Sequence, residues 1–537
     1  MVYIIYGKIC RKSVNDIGKE FNRMAQNAKR RLKIPKRVIL TAVSLLTEAA
    51  LVVLLMVYIT KNVYWAYMFF EILSIFCTIY IVNKKGDLSY KLAWIIFILT
   101  VPFAGWLLYL IFGGNRIFPY LKKRFLKAEK ENEKFLLQDE SVMRAIEKNG
   151  RQGAKQAKYL YNESRYPLYY GGDSEFYPSG EAVFAAVLDE LGKAEDYIFI
   201  EFFILAEGYM WDEIHKILKK KAESGVDVRI IFDDFGSANR QYVNFAENLR
   251  EEGMGVSVFN PIKPDSNLFL NNRLHRKMIV IDGKTAFTGG FNIADEYINR
   301  VERFGHWLDC GIKLEGEAVS SFVVMFITMW NFVCPKVKLI AEDYLYERAL
   351  LKKEGGGFYQ PYCDGPFDDR DAGKGIYLQM INSARSYVYI ATPYLILDST
   401  MSEALCRAAK SGVDVRIITP KKWDKWYVHP VTQYYYSELF EAGVRIYEYT
   451  PGFIHSKLFV ADDRFATVGT FNMDYRSFYF HFELGVWLCE TESVGDIKSH
   501  MLETMDVSEE INSREWAKRP FRMKAKQYIL HLFAPFM

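Results

Sequence analysis

One stretch of this chain occurs twice, and any fold it adopts must accommodate both copies. At 275–292 the order is His-Arg-Lys-Met-Ile-Val-Ile-Asp, six residues, then Gly-Gly-Phe-Asn. At 455–472 it is His-Ser-Lys-Leu-Phe-Val-Ala-Asp, six residues, then Gly-Thr-Phe-Asn. Counted from His275 and His455, the lysines Lys277 and Lys457 are two on, Asp282 and Asp462 seven, Gly289 and Gly469 fourteen, Asn292 and Asn472 seventeen. Two copies with the same downstream pattern are not a product of composition.

The residue types suit phosphate chemistry. On a strand, a two-residue step keeps His and Lys on one face, so an imidazole and an ammonium can converge on a single phosphate. The runs 278–281 and 458–461 between Lys and Asp are apolar, as buried strands are.

The surroundings repeat as well. Ser-Gly-Val-Asp-Val-Arg-Ile-Ile at 224–231 returns letter for letter at 411–418, each time after a helical pattern (210–223, 401–410). Apolar strands at 197–205 and 387–395 precede those helices, and further strands are expected at 255–259 and 443–447. Strand, helix, strand, repeated, predicts an α/β fold with βαβ crossovers, a mainly parallel sheet and helices outside it. A duplicated unit predicts two halves related by a pseudo-twofold axis.

The spacing resembles the His-x-Lys-x4-Asp signature of the phospholipase D superfamily, in which two such halves build one site at their seam. The resemblance implies His275, Lys277, Asp282, His455, Lys457 and Asp462 as catalytic residues, and Asn292 and Asn472 as substrate-binding residues. One His attacks phosphorus to give a phosphohistidine, with family precedent favouring His275. The other protonates the leaving alkoxide, and the lysines and asparagines hold the equatorial oxygens. Asp282 and Asp462 are expected to support the site through hydrogen bonds or ion pairs without reacting. Family members also set an acid against a catalytic His; the candidates are Asp309 and Glu483. No cofactor and no metal is expected, since the clamp is Lys and Asn and no carboxylate cluster suits Mg²⁺.

At 537 residues the chain is too long for one ordinary core. Its net charge of +4 argues against a general nucleic-acid binder. The charge is clustered: Lys29, Arg30, Arg31, Lys33, Lys36 and Arg37 precede the first apolar run, and Lys122, Lys123, Arg124 and Lys127 follow the last. Clusters beside membrane spans point to anionic lipid headgroups. Seven scattered cysteines, with no Cys-x-x-Cys and no metal-like spacing to His, indicate neither a disulfide framework nor a zinc site.

Three apolar segments, 38–59, 63–82 and 92–112, are each about long enough to cross a hydrocarbon core of roughly 30 Å. Aromatic residues near their boundaries (Tyr58, Tyr64, Trp65, Tyr67, Tyr109) fit interfacial belts. Glu48 and Glu71 are costly in lipid without a partner, and with Glu48 the first segment either spans or lies in the interface. The basic residues place the catalytic region outside if it spans and allow it inside if it does not. The stretch from Tyr90 through Pro102 and Gly105 to Arg116 resembles the N-terminal anchor of bacterial cardiolipin synthases. The expected layout is 1–37 basic segment, 38–113 multi-pass transmembrane anchor in the cell membrane, 114–160 charged helical linker, 161–345 and 346–512 the two halves, and 513–537 a basic amphipathic tail. That tail reads either as an interfacial helix or as one packed on the catalytic region.

Together these features imply a membrane phosphatidyltransferase similar to bacterial cardiolipin synthases, condensing two phosphatidylglycerols into cardiolipin and glycerol. Its partners would be phosphatidylglycerol and anionic membrane lipids, with no nucleic acid; the oligomeric state is left open. A phospholipase D-type hydrolase or another phosphatidyltransferase, such as a phosphatidylserine synthase, would use the same residues. A nuclease of the superfamily fits the anchor poorly, and a non-catalytic lipid scaffold fits two complete signatures poorly. The aromatic stretch 423–436, with Trp426, and the segment 268–270, with Phe269, are candidate rims for a second lipid.

Overall fold

The computed structural model describes residues 64–84, 86–113, 119–262, 271–346, 356–368 and 370–537, with five single positions between 47 and 58. The N-terminal basic cluster, Glu48, almost all of the apolar segment 38–59, and Phe269 lie outside the described residues.

Two sheets carry the catalytic region. In the first, the strand order is Asp173–Tyr177, Gly311–Glu315, Thr285–Gly289, Lys277–Ile281, Tyr197–Phe202, Asp227–Asp233, Gly255–Phe259. The second repeats the inner order with Phe465–Gly469, Leu458–Ala461, Tyr387–Ala391, Asp414–Pro420 and Arg445–Tyr449. His481–Cys489 and Phe358–Asp364 extend it on one side, and Ser508–Glu510 closes the other. The duplicated octapeptides lead into equivalent central strands.

The sheets are mixed, which corrects the mainly parallel expectation. The crossover strands Tyr197–Phe202, Asp227–Asp233 and Gly255–Phe259 run parallel. The signature strand Lys277–Ile281 lies antiparallel to Tyr197–Phe202 and leads by a tight turn into the antiparallel Thr285–Gly289. Leu458–Ala461 does the same in the second half. Strand-helix-strand spacing governs only the three crossover strands; the signature strand continues into a hairpin, which a tight turn can close only between antiparallel strands. All six residues of Tyr197–Phe202 are buried, as expected of a central strand covered on both faces.

One apolar core draws on both halves. It surrounds the helix Val319–Val333, buried from Val319 through Phe332, and includes Val280, Leu314, Val460 and Leu488. The segment expected to be a charged linker forms the helices Pro119–Asn132, Glu140–Asn149 and Arg151–Ser164. Its first helix packs into this core: the Phe125 ring lies 5.3–5.5 Å from those of Phe332, Phe367 and Phe482.

Ahead of it, Tyr64–Asn83 is a 20-residue helix with Glu71 exposed on its face. The segment 92–112 is not one rod. It lies in two helices, Leu88–Thr100 and Pro102–Phe112, broken at Val101, which is not helical (φ −133°, ψ 78°). Pro102 has no N–H to continue the first helix and disfavours helical geometry in the residue before it. Among the described residues, no helix is long and apolar enough to cross a membrane. At the other end, the helix Phe521–His531 packs on His429–Tyr434, with the His531 and Tyr434 rings stacked at 3.7 Å. Its outer face leaves Phe521, Tyr528 and Ile529 exposed.

Candidate active site

Each catalytic histidine follows a short strand that pairs with the opposite half. Arg273–Leu274 runs parallel to His481–Phe482, and the His275 N–H donates to the Phe482 carbonyl at 2.9 Å. Gly452–Ile454 runs parallel to His306–Leu308, and the His455 N–H donates to the Leu308 carbonyl at 2.7 Å. The residue after each accepting carbonyl is an acid. Glu483 places both oxygens 2.9 Å from His275 Nδ1, and Asp309 places Oδ2 2.7 Å from His455 Nδ1. The acid and the imidazole of each pair therefore come from different halves. A carboxylate at Nδ1 keeps the proton there and leaves Nε2 with its lone pair.

The acids are built differently. The Thr470 hydroxyl donates to Glu483 Oε2, and its oxygen accepts the Leu484 N–H at 2.9 Å. Gly290 takes the place of Thr470 in the first copy; a Cβ there would sit 2.1 Å from Asp309 Oδ1. A longer acid goes with a hydroxyl, and a shorter one with a bare glycine.

Lys277 and Lys457 are buried beside the histidines. Lys277 Nζ donates to the His275 carbonyl at 2.6 Å, and Lys457 Nζ lies 2.8 and 3.1 Å from the two ring nitrogens of His455. Burial disfavours every charge here. It lowers Lys277 to about 7 and Lys457 to about 8, and raises Asp309 to about 7 and Glu483 to about 8. Burial, and then the neighbouring lysine, push both imidazoles well below their usual value. Two ammoniums and two carboxylates cancel formally, so an entering phosphodiester brings an unbalanced negative charge. That charge favours the ammonium forms and one imidazolium.

The remaining signature residues do not all converge. Asn292 uses both ends of its amide on the protein: Oδ1 accepts the Ile204 N–H at 3.0 Å and Nδ2 donates to the Tyr297 hydroxyl at 2.6 Å. Asn472 keeps a buried Oδ1 with no hydrogen-bond partner. The structure does not bring Asp282 and Asp462 to the imidazoles. They lie at the far ends of the signature strands, both with positive φ (51° and 54°). Asp282 accepts the N–H groups of Glu195, Asp196 and Tyr197 at 2.8–2.9 Å, and Asp462 those of Arg385, Ser386 and Tyr387 at 2.7–3.1 Å. Each clamps the entry of the neighbouring strand. Contiguity in the signature groups them with the catalytic residues, but a strand rising about 3.3 Å per residue carries them away from the seam.

Three residues at the site are not among the sequence candidates: Thr470, His481 and Arg476. Thr470 alone could have been noticed, as the letter that differs between Gly-Gly-Phe-Asn and Gly-Thr-Phe-Asn. His481 sits two residues before Glu483, where the first copy has Trp307 before Asp309. Its ring centroid is 5.4 Å from that of His275. Of the expected lipid rims, Trp426 is exposed, with Lys526 Nζ 5.5 Å from the centre of its ring.

Among the described residues, His275, His481 and Glu483 are the one group whose nitrogen and oxygen atoms approach closely enough, within 4.8 Å, to hold a metal ion. Lys277, Arg273 and Arg476 crowd the same group, and their charges oppose a divalent cation there.

The model of the cardiolipin synthase phospholipase D-like domain matches residues 187–309 and 377–505, and that of the phospholipase D-nuclease N-terminal region matches 72–114. An uncharacterized protein of Streptococcus mutans is 38% identical over 463 residues, covering 86% of this chain and 99% of its own. The cardiolipin synthase of Geobacillus thermodenitrificans is 35% identical over 460 residues, covering 85% and 90%. The phosphatidylserine synthase of Haemophilus influenzae superposes with a TM-score of 0.53 at 14% identity, over 72% of this chain and 98% of that one, which shows a shared fold. The paired signatures, the crossed acid-imidazole pairs and these likenesses agree: the chain belongs to the cardiolipin synthase family of the phospholipase D superfamily.

Proposed function

We propose that the chain condenses two phosphatidylglycerol molecules into cardiolipin and glycerol at the seam between its halves. The observation that carries this is the pair of imidazoles, each held at Nδ1 by an acid of the other half, with Lys277 and Lys457 beside them. Nε2 of one histidine, His275 by the resemblance, attacks phosphorus. The bond from phosphorus to the glycerol oxygen breaks, and the other imidazolium gives that oxygen its proton. The lysines, with the Nδ2–H of Asn472 as donor, offset the charge on the equatorial oxygens. The glycerol hydroxyl of a second phosphatidylglycerol then returns its proton to the second histidine and attacks phosphorus, breaking the phosphorus-nitrogen bond. Asp282 and Asp462 act on the strands that carry the site.

The reaction is proposed to occur at the cell membrane, with the N-terminal region as a multi-pass anchor. Trp65, Phe69 and Phe76 project from Tyr64–Asn83 with 61–77% of their surface exposed, a face that water does not favour. Incubating the purified protein with phosphatidylglycerol alone tests the function: cardiolipin and glycerol should appear in equal amounts. Phosphatidic acid as the main product would replace the synthase with a hydrolase.

A further inference from the structure

The two copies of the site part at one register position. Before His455, Phe453 lies opposite Trp307. Before His275, the equivalent pair is Arg273 opposite His481. The flank of His455 is thus aromatic, with the Tyr297 and Trp307 rings each 5.4 Å from the imidazole. The flank of His275 keeps one aromatic neighbour, Phe203, with ring centroids 5.1 Å apart, and adds the polar and cationic groups His481 and Arg273.

Arg476 extends that flank. Its Nε–H donates to His481 Nε2 at 3.2 Å. This leaves the His481 proton on Nδ1, a buried atom with no hydrogen-bond partner that lies 3.7 Å from Glu483 Oε1. Arg273 is ion-paired with Asp233 at 3.6 Å. Arg476 differs: among the described residues, neither of its terminal amines has a hydrogen-bond or carboxylate partner, although the side chain is half-buried. Both amines stay open to solvent and so to an incoming anion, with which a half-buried guanidinium can form charge-assisted hydrogen bonds.

We propose that Arg476, held in place by His481, binds the phosphate of the acceptor phospholipid while the donor phosphate lies between His275 and His455. The proposal rests on the phosphatidyl-transfer reading. Joining two phosphatidylglycerols brings two phosphates together, separated in the product by three carbons. The histidines and lysines account for one, and the second needs its own cation. A guanidinium fork suits a phosphate diester oxygen pair. Only hydrogen bonds form at Arg476; no covalent step is assigned to it.

The test uses full-length protein, unlabelled phosphatidylglycerol as donor, and two labelled soluble acceptors, glycerol and glycerol phosphate, whose label is read in the lipid product. The wild type should favour glycerol phosphate, and Arg476→Gln should lower transfer to it about 10- to 100-fold more than transfer to glycerol, as expected for a lost charge-assisted hydrogen bond. Arg476→Lys should recover part of the preference. Equal losses for both acceptors would make Arg476 a support for Glu483 and overturn the subsite. The wild-type preference is independent of whether any variant folds, and its absence would overturn the subsite as well. Release of phosphatidic acid with neither acceptor used would overturn the transferase reading and the subsite with it.

Discussion

His455 and Asp309 belong to opposite halves of the chain, yet Nδ1 of one lies 2.7 Å from Oδ2 of the other. Asp309→Asn should therefore impair the second-half histidine. The expected loss in kcat is about 10²- to 10⁴-fold, the range for a mis-oriented imidazole, with KM little changed. The double variant with His455→Ala should be no worse than His455→Ala alone. Additive losses in that cycle would show that the acid acts elsewhere.

His275→Ala and His455→Ala should each reduce transfer by at least about 10³-fold while leaving thermal unfolding near that of the parent, since both act in proton and phosphoryl transfer. Near-normal turnover by either variant would contradict a single site built from two halves.

Asp282→Ala should act on stability. Three backbone donors lose their acceptor, which costs about 2–4 kcal/mol given the strength of charge-assisted hydrogen bonds. Asp282→Asn should lose less, because Asn tolerates the left-handed conformation and keeps one acceptor. Thermal melts rank the two variants; an unchanged melting temperature for Asp282→Ala would refute the clamp.

Strong chelation should leave activity in place. Loss in EDTA, restored by a divalent ion, would point to His275, His481 and Glu483 as ligands, against the cations that crowd them.

His500 gives stability a pH dependence. Burial lowers its imidazole to about 4, below the usual 6.5. The unfolded chain then binds the proton more readily than the folded one, so this contribution is intact above pH 6.5 and is lost as pH falls toward 4. At pH 5 the loss is about 2 kcal/mol at most. Melts of His500→Gln should depend less on pH across that window, and identical slopes would exclude His500 as the source.

The sequence carried the duplication and both histidine-lysine pairs because these sit at fixed offsets along single strands. It also carried Asp309 and Glu483 as candidates, though not which histidine each serves, since that pairing crosses between halves and is decided by tertiary contact. Asp282 shows the opposite limit: contiguity with His275 and Lys277 in the sequence put it in the site, while strand geometry carries it away. His481 stands where the first copy has Trp307, and Arg476 is likewise not repeated, so repetition could not reveal them. The break at Val101 was legible in Pro102, but the apolar composition on either side masked it.

The crossed strands have a consequence for inheritance. Because Phe482 and Glu483 hold His275, and Leu308 and Asp309 hold His455, each half cut out alone would bear a histidine stripped of its acid. Co-expressed fragments should regain activity only as a complementing pair. Substitutions near residue 482 should be compensated near residue 274, across the duplication, and not within their own repeat.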